Sequence, residues 1–206
     1  FSGLIYGTQT LPVTAQMIDM IGAGMSLFLI IIVTFYAGEM VWRERSMRVA
    51  EATDAYAAPD WVPLAAKMTA LSGVVAVVLA ACALFTVCYQ LADGYTNIEP
   101  LLYAKGLGIP LVSFVLMAAL AVFFQVVTGN MFVGYVLMIA YLVVRVVIRM
   151  YDFDHLLYNY GAASRMPYSD MNGYGHFIGP WLWSRAYWGA FALLLLAVAT
   201  AMWPRG

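Results

Sequence analysis

Residues 38–60 read GEMVWRERSMRVAEATDAYAAPD, a charged stretch wedged between two long apolar runs. Three of the ten Lys and Arg residues (Arg43, Arg45, Arg48) fall within it, in the company of Glu39, Glu44, Glu51, Asp54 and Asp60. Nothing else in the chain is so polar for so long. From Glu39 to Ala58 no Gly or Pro interrupts, so a helix is allowed. Glu39 with Arg43, and Glu44 with Arg48, are i,i+4 pairs in the supportive acid-first order. Met40, Val41, Met47, Val49 and Ala50 supply a partial apolar face. The expected element is an amphipathic helix over 39–58 that lies at a membrane surface instead of crossing it, closed off by Pro59 and Pro63.

The flanking runs decide the class. With 64% hydrophobic residues, 10% charged residues and a mean hydropathy of +0.84, the chain cannot be a soluble globular domain, because its apolar runs need lipid as solvent. A net charge of -1 gives no reason to expect nucleic acid as a partner. Cys82 and Cys88 lie in an apolar run without metal-site spacing and read as small buried residues. The first residue is Phe and no basic leader or cleavage site follows it, so a piece of a longer protein is expected.

Working outward, the pattern predicts an all-α polytopic membrane domain with five transmembrane helices, at about 18–38, 64–91, 107–127, 131–150 and 181–203, plus the amphipathic helix. Residues 1–16 form an interfacial lead-in. Asp19, at the outer edge of the first span, is read either as a carboxylate at headgroup level or as a substrate or ion ligand. Lys67 opens the second span and can snorkel back toward the charged stretch. Asp93-Gly94 signals a turn, 95–106 a polar and aromatic connection, and Pro110 falls near the start of the third span, where a helix tolerates it. Thr128-Gly129-Asn130 is a tight uncharged turn that sends the fourth span back antiparallel. That span ends with Arg145 and Arg149 on one face; they either meet Asp152 or Asp154 at the interface or line a polar path between helices. Five crossings place 39–60, 128–130 and the C-terminus on one side, and 92–106 and 151–180 on the other. The positive charges divide evenly between the two sides, so charge alone gives only a lean toward a cytoplasmic 39–60.

No catalytic constellation is legible. Only His155 and His176 are present, in a loop and far apart. Together with Asp152, Asp154 and Asp170 they could supply metal donors, but no helical spacing makes them converge. No phosphate-cradling Gly-rich loop ending in Lys-Ser/Thr appears, and Ser164 and Ser169 have no neighbouring base. The run PYSDMNGYGHFIGPWLW (167–183) is the most unusual. Its three glycines among aromatics predict a folded loop on the bilayer surface, with a gate or substrate contact as the other reading.

The motifs FYAGEMVWRER (35–45) and APDWVPLAAK (58–67), joined by the charged helix, resemble the membrane half of type 2 ABC exporter permeases. The run at 167–183 is similar, more narrowly, to bacterial permeases whose chain continues into a zinc aminopeptidase domain. The resemblance implies a bacterial cytoplasmic membrane protein in which 1–16 ends a large outer segment and 39–58 is a cytoplasmic coupling helix. It implies an ABC ATPase subunit as partner, contacted by Glu39, Arg43, Glu44, Arg45 and Arg48, and a second permease half or a homodimer partner. ATP would act on the partner subunit and zinc only in a fused domain; this chain carries neither an HExxH motif nor nucleotide-binding motifs. An anchor for a fused peptidase and a non-transporting scaffold are the other expectations.

Overall fold

A computed structural model describes residues 4–5, 8–9, 11–47, 59, 61–151, 155–164 and 166–203. Five long helices follow a two-residue antiparallel pairing of Leu4–Ile5 with Thr8–Gln9. They are α1 (Thr14–Ser46), α2 (Trp61–Ala92), α3 (Pro100–Thr128), α4 (Met131–Met150) and α5 (Ile178–Ala201), the last entered through a single 3-10 turn at Gly175–Phe177. All five spans are long and apolar enough to cross a bilayer. The chain is an integral membrane protein with the all-α polytopic fold that its hydropathy requires.

The centre of the bundle is α3, which packs against every other long helix. Residues Leu116 to Val122 are all buried, on every face of the helix. A helix apolar all round has no face to give to water, so neighbours enclose it. Its partners are simpler. On α2 one seam is buried, Leu64, Lys67, Leu71, Val75 and Leu79, at the three-to-four spacing of a helix stripe. On α4 the inward seam is Gly134, Met138, Tyr141 and Arg145. The outward side chains, such as Leu27, Phe85, Phe132 and Leu193, are large and exposed, which suits contact with acyl chains.

Three expectations are corrected. The chain does not break at Gly38: α1 runs on to Ser46, so Glu39–Ser46 are the last turns of the first spanning helix and not the opening of a separate one. At 33 residues α1 is about 50 Å long against a hydrocarbon core of ~30 Å. Its charged end therefore projects beyond the core. Residues 48–58, the rest of the expected amphipathic helix, lie outside the described residues. Second, α3 begins at Pro100 and not near 107, which turns Leu101–Gly106 from connection into helix and puts Pro110 inside it. Pro100 occupies the first helical position, where its missing N–H costs nothing. Third, Cys88 is exposed, and Cys82 is only half-buried, packed against the core where the α2 seam continues past Leu79.

The turns follow the sequence closely. Gly129 adopts φ 59° after α3, and the Asn130 side chain accepts from the N–H groups of Phe132 and Val133 to cap α4. Gly94 closes α2 at φ 81°. Where α1 crosses α4, Gly38 lies against the Tyr135 ring, so that a Cβ there would collide with it. The Tyr135 hydroxyl donates to the Phe35 carbonyl at 3.3 Å. Gly38→Leu is expected to push Tyr135 aside and destabilise the bundle by about 1–3 kcal/mol, read as a lower thermal midpoint in detergent. An unchanged midpoint would mean that α1 and α4 do not meet at this crossing.

Candidate functional site

The charged end of α1 is tied to its neighbours. Lys67, on the first turns of α2, is 8% exposed, and its ammonium lies 2.9 Å from Glu44 Oε2 and 4.9 Å from the centre of the Trp203 ring. Lys67 reaches back to the charged stretch as expected, but its ammonium is buried there and not carried out to water. Its Nζ has no aligned hydrogen bond, so the buried charge is neutralised by the ion pair and the aromatic face. One side chain thus joins the end of α1, the start of α2 and the end of α5. Just below, the Trp42 indole donates to Gln125 Oε1 at 3.0 Å, linking α1 to α3, and Gly134 leaves room for that Gln125 amide. These contacts place the ends of α1 and α5, the start of α2 and the 128–130 turn on one side, as the alternation of spans requires.

Of the residues expected to meet an ATPase, Glu39 and Arg43 are exposed and Glu44 is shared with Lys67. Arg45 belongs to α1, but its side chain lies outside the described residues, as does all of Arg48. Among the described residues no ion pair joins Glu39 to Arg43.

The opposite end holds the larger surprise. Tyr160, in the connection after α4, is 8% exposed and its hydroxyl donates to the Leu116 carbonyl at 2.8 Å. Its ring packs on Tyr141, Trp188 and Phe191. Leu116, Tyr141 and Trp188 each stand near the middle of their own helix. Tyr141 is roughly 14 Å along α4 from Met150. The segment 155–164 therefore re-enters the bundle, a placement that the sequence reading of 151–180 as a non-spanning connection did not include.

Irregular backbone is tolerated at that depth only where protein or water satisfies its polar groups. Side chains of α4 and α5 do so here. Trp188 Nε1 donates to the Leu156 carbonyl at 3.1 Å, the Tyr141 hydroxyl to that of Tyr160 at 3.0 Å, and Arg185 Nη1 to that of Gly161 at 3.0 Å. Arg185 Nη2 reaches Ser113 Oγ on α3 at 2.7 Å. Gly161 makes the return turn at φ 70°. Burial, with the Tyr141 phenol adding to it, holds the Tyr160 phenol well above its ordinary value.

Beside this segment, a cavity of about 380 Å³ opens between α1 and α3. Asp19, Gly22, Pro110, Ser113, Tyr168 and Tyr174 are among its walls. Pro110 cannot donate to the Gly106 carbonyl one turn back, so polar backbone faces this space. The Tyr168 and Tyr174 rings meet edge to face 5.4 Å apart, and burial followed by the nearby Asp19 carboxylate raises the Tyr174 phenol. Asp19 is exposed toward the cavity, so the ligand reading keeps its geometry.

Of the expected polar-path residues, Arg145 turns inward and is half-buried, whereas Arg149 is exposed. Asp152 and Asp154 lie outside the described residues. Among the described residues no three His, Cys, Asp or Glu side chains converge as metal ligands; His155 stacks near Tyr158 and His176 near Phe177. No family model matches the chain, and no curated protein or solved structure is significantly similar to it.

Arg185 and Tyr160 were not legible as site residues. Arg185 carried one signal, a cation four residues after Trp181 inside an apolar run. Gln90 gave a similar one: fully buried on α2, it donates to the Pro12 carbonyl at 2.7 Å and accepts from the Tyr103 hydroxyl at 2.8 Å, anchoring the lead-in. A buried polar residue within an apolar run needs partners elsewhere in the chain, but sequence does not say which.

Two outcomes follow. Tyr160→Phe is expected to cost about 1 kcal/mol through the lost bond to Leu116. In the wild type the folded state keeps the Tyr160 proton where the unfolded chain, titrating near 10.0, has lost it, so stability falls as pH rises above that value. The variant should lose this part of the alkaline slope in equilibrium unfolding. Glu44→Gln should destabilise by about 1 kcal/mol, the small size reflecting a Glu44 side chain that is 43% exposed. Adding Lys67→Met to that variant should restore stability; failure to do so would show that Lys67 does not depend on Glu44.

Proposed function

We propose that this chain is the membrane-spanning permease half of an ATP-driven exporter, of the type 2 ABC kind, in a bacterial cytoplasmic membrane. It receives mechanical work from a separate ATPase subunit through the charged stretch that starts at Glu39. The observation that carries the reading is the Glu44–Lys67–Trp203 junction. Because α1 continues unbroken through Glu39–Ser46, a push on the exposed Glu39 and Arg43 side is a push on a spanning helix. Because Lys67 bonds that end to α2 and packs on Trp203 after α5, the displacement is shared by three helices as a rigid body. A stiff charged projection linked at its base to several spans is a suitable lever. The cavity at the far end of α1, walled by Asp19 and Ser113, is a place where such a movement would change access.

Five spans are too few to enclose a pathway, so a second permease half or a second copy completes it. The exposed apolar flanks of α2 and α4 leave area for that contact as well as for lipid. ATP is bound by the partner subunit.

Reversing charge with Arg43→Glu and Arg45→Glu together should leave insertion and thermal stability intact. The same change should abolish co-purification with, or stimulation of, the ATPase subunit encoded alongside. A cysteine at position 43, in a chain with Cys82 and Cys88 replaced by Ser, should react with an impermeant maleimide only from the cytoplasmic side. Labelling from outside the cell, or an ATPase interaction untouched by the double reversal, would overturn the reading. In that case an anchor for a fused peptidase domain becomes the better account.

A further inference from the structure

Buried polar atoms normally find partners, so those that do not are informative. Among the described residues the buried side-chain nitrogen and oxygen atoms without a hydrogen bond are Lys67 Nζ, which has its ion pair, and four others: Arg145 Nε, Ser164 Oγ, Trp181 Nε1 and Arg185 Nε. These four belong to one neighbourhood. Trp181 and Arg185 are one turn apart on α5, with the guanidinium 5.4 Å from the indole centre. Arg185 holds the Gly161 carbonyl, three residues before Ser164. Arg145 is one turn from Tyr141, which holds the adjacent Tyr160 carbonyl. Arg145, Trp181 and Arg185 thus flank the re-entrant segment that ends at Ser164.

Their chemistry is one-sided. The two guanidinium N–H groups and the indole N–H can only donate, and the serine hydroxyl can donate as well. The two arginines are close enough for their charges to repel. Of the carboxylates among the described residues, none forms an ion pair with either arginine. Two cations beside each other in a low dielectric, ringed by idle donors, call for a compact acceptor with negative charge. Donors arriving from α4, α5 and the intervening segment need more than one acceptor atom, which favours several oxygens over a single halide. Exposed Arg149, one turn beyond Arg145 toward the end of α4, continues the positive potential to the bilayer surface.

We infer that Arg145, Arg185, Trp181 and Ser164 form a binding site for an oxyanion, a carboxylate or a phosphate, carried either by a lipid headgroup or by a solute. This site is independent of the ATPase contact and does not rest on the exporter reading. The side chains have separate duties. Arg185 already spends both Nη groups on Gly161 and Ser113 and positions the segment, whereas Arg145, hydrogen-bonded to the Tyr141 side chain but with its Nε unpartnered, supplies the charge that meets the ligand.

The full chain, reconstituted in nanodiscs of phosphatidylcholine alone at fixed ionic strength, provides the test through its thermal midpoint and tryptophan emission. Replacing chloride by inorganic phosphate or acetate should produce a saturable rise in midpoint if the source is a solute. Including phosphatidylglycerol should do so if the source is a lipid. Either response supports the site. Arg145→Gln should weaken the responding anion roughly tenfold or more. Arg145→Lys should retain part of the response. Without anion, Arg145→Gln should melt no lower than wild type, since it relieves charge repulsion, and this separates lost binding from lost folding. No saturable response to any of the three probes, or an equal response in Arg145→Gln, overturns the inference. So does an anion response that appears only in Asp152→Asn/Asp154→Asn, which would identify the chain's own carboxylates as the counter-charge.

Discussion

At the middle of a bilayer no water is available to bond a peptide carbonyl, and any chain that leaves the helical state there must bring its own donors. The segment 155–164 meets this condition through Trp188, Tyr141 and Arg185, each aimed at one carbonyl. The rest of the bundle can be understood as what is needed to hold those three donors in place. The wholly buried α3 supplies the Leu116 carbonyl and Ser113 on one side. The inward seam of α4 supplies Tyr141, and the first half of α5 supplies Arg185 and Trp188. Helix association in lipid draws little from apolar burial and much from close packing and such bonds, so this knot of hydrogen bonds is a large part of what fixes α3, α4 and α5 together.

The two ends of the bundle are then chemically different. The Glu44–Lys67–Trp203 end is neutralised and stapled, with one charge of each sign and an aromatic cover. Its remaining charges, Glu39 and Arg43, point outward, where a partner can reach them. The far end is built differently: a cavity, Pro110 within α3, tyrosines edge to face, and arginines that form no ion pair among the described residues.

Much of this was legible from residues alone, for identifiable reasons. Hydropathy marks a span because lipid contact tolerates no long polar run, so five spans could be counted and the 128–130 hairpin placed. Lys67 could be expected to bend back to the charged stretch because its stem is long and a polar destination was four turns or less away. The boundaries were less secure. Gly38 looked like a stop, yet it is helical, because Tyr135 of α4 needs the space that a side chain would fill. Leu101–Gly106 looked like a connection, yet they are helical, because Gly106 packs closely on Ile18 of α1.

By itself, the sequence determined that this is a five-span helical membrane protein with one charged projection, since length and apolarity act locally and need no knowledge of neighbours. Only the tertiary structure decided that 155–164 turns inward, that Arg185 and not Arg149 serves it, and that Arg145 has no ion pair among the described residues. The physical reason is that a polar group inside lipid takes its meaning from a partner on another helix, 72 residues away in the case of Ser113 and Arg185 and 83 in that of Trp42 and Gln125. No periodicity along one strand of sequence records such a pairing.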